Sequence, residues 1–218
     1  MKVTDALEKL PYVDKTRMGA MGWSYGGYMM MWFEGHTDRF KAIASMMGIY
    51  DLRSFHGATE ALWFPEWDIK GVPWNDSQNY EKWSPSNYVR NFKTPTLIIS
   101  GERDYRVPYT QSLHFYTDLQ KMNVPSRLII YSNAGHWPNW YEMALYYTAH
   151  LEFFHQYLGG GAPPWTTEQF LRNGVFDRES GQRYPDATPT KPAGQEKKPG
   201  QETPPANRQG KPDTKPGT

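Results

Sequence analysis

The sequence predicts an α/β fold, a mostly parallel sheet flanked by helices, over residues 1–158. Three observations predict it. Short apolar runs alternate with helix-like segments along this stretch. The pentapeptide Gly22-Trp23-Ser24-Tyr25-Gly26 joins one apolar run to a helical stretch. Two later runs, Thr96-Leu97-Ile98-Ile99-Ser100 and Arg127-Leu128-Ile129-Ile130-Tyr131, each lead into a glycine-containing loop and then a helix. Continuous apolar strands separated by helices are the pattern of a parallel sheet covered on both faces.

Residues 1–10 read as an amphipathic helix, with Val3, Ala6, Leu7 and Leu10 on one stripe and Glu8 and Lys9 off it. Residues 18–22 read as a buried strand. Residues 27–35 read as a helix that is apolar on nearly all sides, which implies burial. Residues 42–47 are the next strand. Residues 54–91, rich in Trp, Pro and Tyr, read as short helices and loops over the sheet's carboxyl edge. Residues 108–122 and 139–158 are helices. Pro108 suits a first turn, and Gly159-Gly160-Gly161 ends the last helix. Residues 159–187 read as a docking or linker segment that carries Trp165, Phe170, Leu171 and Phe176. Residues 188–218 contain no Val, Ile, Leu, Met, Phe, Trp or Tyr. Such a segment cannot offset an ordering cost of roughly 1–2 kcal/mol per residue, so a disordered tail is predicted.

The chain has 218 residues, a formal net charge of +1 and no cysteine. Disulfides, zinc-thiolate sites and thiol nucleophiles are excluded. Near-neutral charge makes no case for nucleic acid or an anionic membrane as the main partner. No apolar run approaches the roughly 18–20 residues that span a bilayer. No H-E-x-x-H motif occurs, so metal chemistry is not indicated and no cofactor is expected.

A G-x-S-x-G between strand and helix is the nucleophile elbow of an α/β-hydrolase. The turn is tight enough that a β-carbon beside the serine would collide with its neighbours, which glycine avoids. A serine hydroxyl is a weak nucleophile until a base takes its proton. In this fold the partners follow in the order Ser, Asp or Glu, His, each in a loop after a strand. After residues 96–100 come Gly101-Glu102-Arg103-Asp104, and both Glu102 and Asp104 are candidate acids. Asp104 could equally cap the next helix or pair with Arg103 or Arg106. After residues 127–131 comes Ala134-Gly135-His136. His36 follows the elbow helix, His56 lies in the irregular insert, and His114, His150 and His155 fall within helices. That leaves His136 as the candidate base. The backbone N–H of Tyr25, the residue after the nucleophile, is the expected oxyanion donor.

With these motifs in place, the sequence resembles the prolyl oligopeptidase family of serine peptidases, in the branch that includes dipeptidyl peptidase IV and acylaminoacyl-peptidase. The resemblance is carried by Gly22-Trp23-Ser24-Tyr25-Gly26-Gly27-Tyr28, by Ser84-Pro85, by residues 95–108 and by Gly135-His136. It implies peptide-bond hydrolysis in oligopeptides through Ser24, Asp104 and His136, and it selects Asp104 over Glu102. It also implies that Tyr25, Tyr50, Leu52 and Val107 contribute to the substrate pocket, with core packing an equal reading for Leu52. Family members carry an upstream β-propeller and further hydrolase strands, including a loop with the second oxyanion donor. None of these is found in the 218 residues, so a truncated fragment with impaired activity is expected. The nucleophile strand is then an apolar edge that invites aggregation or a homo-oligomer. Two other readings stay open: a carboxylesterase-like α/β-hydrolase and an inactive hydrolase-like fragment.

Overall fold

The structure, a computed structural model, describes residues 1–168. Its four strands are β1 (Gly19–Trp23), β2 (Ala42–Met46), β3 (Thr96–Gly101) and β4 (Ser126–Tyr131). They lie in the order β1-β2-β3-β4, all parallel. Trp23 lies opposite Met46, Met46 opposite Ile99, and Gly101 opposite Tyr131. The strands therefore finish close to one line, and the loops after β1, β3 and β4 leave from one rim.

Helices cover both faces: α1 (Lys2–Leu7), α2 (Tyr25–His36), α3 (Leu52–His56), α4 (Trp63–Ile69), α5 (Ser77–Trp83), α6 (Thr110–Lys121) and α7 (Met143–Leu158), with a 3₁₀ segment at Pro85–Asn91. Side chains alternate along each strand as pleating requires. Ala42, Ala44 and Met46 of β2 and Leu97 and Ile99 of β3 pack with Ala149 and Phe153 of α7. On the other face Ile43 packs with Met30 of α2 and Phe40, while Ile98 packs with Phe115 and Leu119 of α6. Each fully buried Leu, Ile or Phe contributes about 1.5–3 kcal/mol. The strand-and-helix order of the sequence reading is thus the order observed, with boundaries shifted by a few residues.

Four differences have physical causes. First, the reading of residues 18–22 as a buried strand does not hold, because β1 is the edge of the sheet; Met21 is 51% and Trp23 40% exposed. Second, α1 is only six residues long and its apolar stripe faces solvent, with Val3 73% exposed. A helix this short is not stable by propensity alone. It is tied down by Arg39, which pairs with Asp5 at 2.5 Å and Glu8 at 3.1 Å. Third, α6 begins at Thr110, because the Pro108 carbonyl accepts from Gln111 N–H in a preceding turn. Fourth, α7 begins at Met143, because Glu142 Oε2 accepts from Asn139 N–H at 2.7 Å and closes a separate turn.

The insert is anchored over the rim. Asp51 caps α3 by accepting from Ser54 N–H, and Asp76 caps α5 by accepting from Asn79 N–H. Thr59 Oγ1 donates to the Arg106 carbonyl, and Glu60 N–H donates to the Tyr105 carbonyl. Gly159, at φ 72°, ends α7 in the left-handed region that glycine tolerates. Thr167 N–H then donates back to Glu152 Oε2 on α7 at 3.2 Å. The expected docking residues Phe170, Leu171 and Phe176 and the tail at 188–218 lie outside the described residues.

Candidate active site

Ser24 follows β1 directly and occupies φ 60°, ψ −116°, a conformation costly for any residue with a side chain. Two backbone bonds hold it there. Ser24 N–H donates to the Met46 carbonyl at 2.8 Å, and the Ser24 carbonyl accepts from Tyr28 N–H at 3.0 Å. The glycines around it do unequal work. A β-carbon on Gly22 would overlap the Gly26 carbonyl, and one on Gly27 would overlap the Met46 carbonyl and the Gly48 backbone. A β-carbon on Gly26 would meet nothing within 4 Å. The steric requirement assigned to Gly26 by the pentapeptide therefore belongs to Gly27.

The loops after β3 and β4 converge on this hydroxyl. His136 Nε2 lies 2.8 Å from Ser24 Oγ, and His136 Nδ1 lies 2.7 Å from Asp104 Oδ2. The three residues form one hydrogen-bonded line. Asp104 is 2% exposed, and its second oxygen accepts from Arg106 N–H at 3.0 Å and Val107 N–H at 2.9 Å. Its carboxylate thus organises its own loop while facing the imidazole. Glu102 is exposed. The two loops touch closely: Glu102 N–H donates to the Tyr131 carbonyl, Arg103 N–H to the Ala134 carbonyl, and a β-carbon on Gly101 would overlap both the Ala134 and Gly135 carbonyls.

The other histidines have other partners or places. His36 stacks on Trp32, His56 contacts Glu66, His114 contacts Asp118, His150 sits against Tyr146 and Met46, and His155 lies in the last turn of α7. Tyr25 N–H belongs to the first turn of α2, where backbone donors have no carbonyl one turn earlier.

A cavity of about 370 Å³ opens against Tyr25. Tyr28, Trp32, Ile49, Leu52, Phe64 and Trp83 supply much of its wall, and Asp68 is its one charged group. Burial pushes the Tyr28 phenol above its ordinary range, and its hydroxyl donates to the Trp83 carbonyl. Of the expected pocket residues, Tyr25 and Leu52 line this cavity. Tyr50 does not: its ring is fully buried with Met31, Phe92 and Phe115, and its hydroxyl donates to Asp118 at 2.6 Å. Val107 lies in the apolar cluster with Leu52 and Phe55, behind the wall.

Sequence reasoning missed three contributors. Trp23 donates its indole N–H to the His136 carbonyl at 2.8 Å. Gln111, 2% exposed, accepts from both Tyr50 N–H and Asp51 N–H and fixes the chain after β2. Gly27 supports the elbow, and the doublet Gly26-Gly27 was its only visible signal.

Parallel strands with helices on both faces, and a strained serine at the strand-to-helix turn, define an α/β-hydrolase. The model of the prolyl oligopeptidase family matches residues 1–161, and the chain belongs to that family of serine peptidases. It is 38% identical over 159 residues to dipeptidyl-peptidase 5 of Porphyromonas gingivalis, covering 71% of this chain and 23% of that protein. It is 37% identical over 130 residues to dipeptidyl-peptidase 5 of Schizosaccharomyces pombe, covering 59% and 19%. Among solved structures, acylaminoacyl peptidase of Pyrococcus horikoshii is similar with a TM-score of 0.67 and 28% identity, over 78% of this chain and 28% of that one. A puromycin-hydrolyzing peptidase of Mycobacterium tuberculosis gives a TM-score of 0.69 and 28% identity, over 75% and 25%. The chain thus spans about a quarter or less of the curated relatives it matches.

Proposed function

We propose that this chain carries a serine peptidase site that hydrolyses peptide bonds in oligopeptides through an acyl-enzyme. The observation that carries the reading is the unbroken line Ser24 Oγ, His136 Nε2, His136 Nδ1, Asp104 Oδ2, with both contacts at 2.8 Å or less. Ser24 Oγ attacks the carbonyl carbon while His136 Nε2 takes its proton. Asp104 holds the imidazole tautomer and stabilises the imidazolium. The Tyr25 N–H stabilises the oxyanion. His136 then passes the proton to the departing amine, and a water activated by the same nitrogen releases the acid. The cavity beside Tyr25 receives the side chain next to the scissile bond, and its walls favour an apolar or aromatic one.

The peptide preference follows from the relatives, which are named as peptidases. With one oxyanion donor assigned within the chain, turnover is expected to be about 10²- to 10³-fold below that of a site with two. The test compares short peptide p-nitroanilides with p-nitrophenyl esters, using Ser24→Ala as the blank. Amide turnover that vanishes in the variant is expected. Ester turnover alone would point to a carboxylesterase instead, and equal turnover by Ser24→Ala would remove the assignment of the nucleophile.

A further inference from the structure

We propose that Trp23 is a positioning residue for His136, with its indole N–H clamping the loop that carries the base onto the strand that carries the nucleophile. This rests on the reading of Ser24 and His136 above. The sheet order puts β1 and β4 at opposite edges, with β2 and β3 between them. At roughly 4.8 Å per strand, the loop after β4 must reach about 14 Å to bring His136 to Ser24. Its first half is hydrogen-bonded to the neighbouring β3 loop through the Tyr131 and Ala134 carbonyls, with Gly101 close against Gly135 and Ala134 buried in the core cluster. At His136 the backbone is held from the other side. The Trp23 indole N–H donates to the His136 carbonyl at 2.8 Å, and the indole lies 5.0 Å from the imidazole and 4.7 Å, edge-on, from Trp137. Trp137 in turn lies 6.3 Å from Tyr146 of α7.

Simple apolar packing does not account for this arrangement. The Trp23 side chain is 40% exposed, so it is not a core anchor, yet its single donor is aimed at the backbone of the base. A displacement of about 1 Å in a positioned group costs up to about 10²-fold in rate. Substitution of Trp23 is therefore expected to act on the chemistry more than on folding.

The test uses the full chain with β-(3-benzothienyl)alanine at position 23, which keeps the ring shape and replaces the N–H by sulfur, alongside Trp23→Phe. Two quantities are read: the rate of Ser24 labelling by a fluorophosphonate, and the downfield proton resonance of His136 Nδ1–H. A thermal melt accompanies both. The clamp predicts a 10- to 100-fold slower labelling and a broadened or lost resonance in both variants, with a melting midpoint near that of the unsubstituted chain. Labelling at the original rate with an intact resonance would overturn it, as would a melt that collapses in step with the labelling in both variants. If the unsubstituted chain itself is not labelled, the nucleophile reading fails, and the resonance decides the clamp alone.

Discussion

Ser24 and His136 share one rim but come from opposite edges of the sheet, and the chain holds them by different means. The serine is fixed by backbone: a strained φ of 60°, a bond from its N–H to the Met46 carbonyl, and the contact of Gly27 with Met46 and Gly48. The histidine is held by side chains from elsewhere, Asp104 on its ring and Trp23 on its carbonyl. The burial differs too. β2 and β3 are buried throughout, whereas β1 is half exposed. A backbone-built turn keeps its geometry even on an exposed edge strand. A loop that reaches past two strands needs donors and acceptors placed along its path.

The largest expected effect breaks the side-chain arm. Asp104→Asn removes the carboxylate that is hydrogen-bonded to His136 Nδ1, and, on the proposed mechanism, a fall of about 10⁴-fold in amide turnover is expected, read by initial rates. Its melting midpoint should change less than that loss suggests, because asparagine retains an acceptor for Arg106 and Val107 N–H. The next effect breaks the backbone arm. Gly27→Ala places a β-carbon into the Met46 carbonyl and should destabilise the fold by about 1–3 kcal/mol or more in a urea melt. Gly26→Ala, in open space inside α2, should be neutral or stabilising by up to about 1 kcal/mol. Equal losses from the two glycines would contradict the account of the elbow.

These paired glycines show what was legible in the sequence. The spacing of Gly22, Ser24 and Gly26 exposed the elbow, and the loops after two apolar runs exposed Asp104 and His136. Local pattern and strand order suffice for Ser24 and His136, whereas the choice of Asp104 over Glu102 needed the family resemblance. Which glycine faces the next strand depends on how α2 sits against Gly48, and no local pattern carries that. Trp23 and its carbonyl partner are 113 residues apart. Tyr50 lies in the segment between β2 and α3, where the turn into Asp51 decides whether the ring points at the rim or into the core. The bonds of Gln111 to the two backbone amides decide it inward. The stripe on α1 has helical periodicity, yet Val3 and Leu7 are exposed, so periodicity alone does not tell which way a stripe faces.

Glu34 offers a pH-dependent sharpening. It is 1% exposed within α2. Its Oε1 accepts from Lys93 N–H at 2.6 Å and Thr94 N–H at 2.7 Å, while its Oε2 is unpartnered among the described residues. Burial pushes its carboxyl from 4.5 up to about 7 against the pull of those amides. The folded state therefore binds this proton more tightly than the unfolded state. Its stability contribution is full below about pH 4.5 and is lost as pH rises through about 7, on the order of 3 kcal/mol in total. Glu34→Gln should flatten the fall in melting temperature between about pH 5 and pH 8. An unchanged slope would show that the carboxyl titrates normally. The smallest effect is expected at the solvent-exposed end. Arg39→Ala, which frees α1 from Asp5 and Glu8, should shift the melting midpoint only slightly and leave turnover unaltered.

The most direct test of the hydrogen-bonded line at the rim is to map a fluorophosphonate adduct by mass spectrometry in the unsubstituted chain and in His136→Ala. The predicted result is a single adduct on Ser24 that disappears in the variant. An adduct that forms equally without His136, or no adduct on a chain that melts cooperatively, would contradict it.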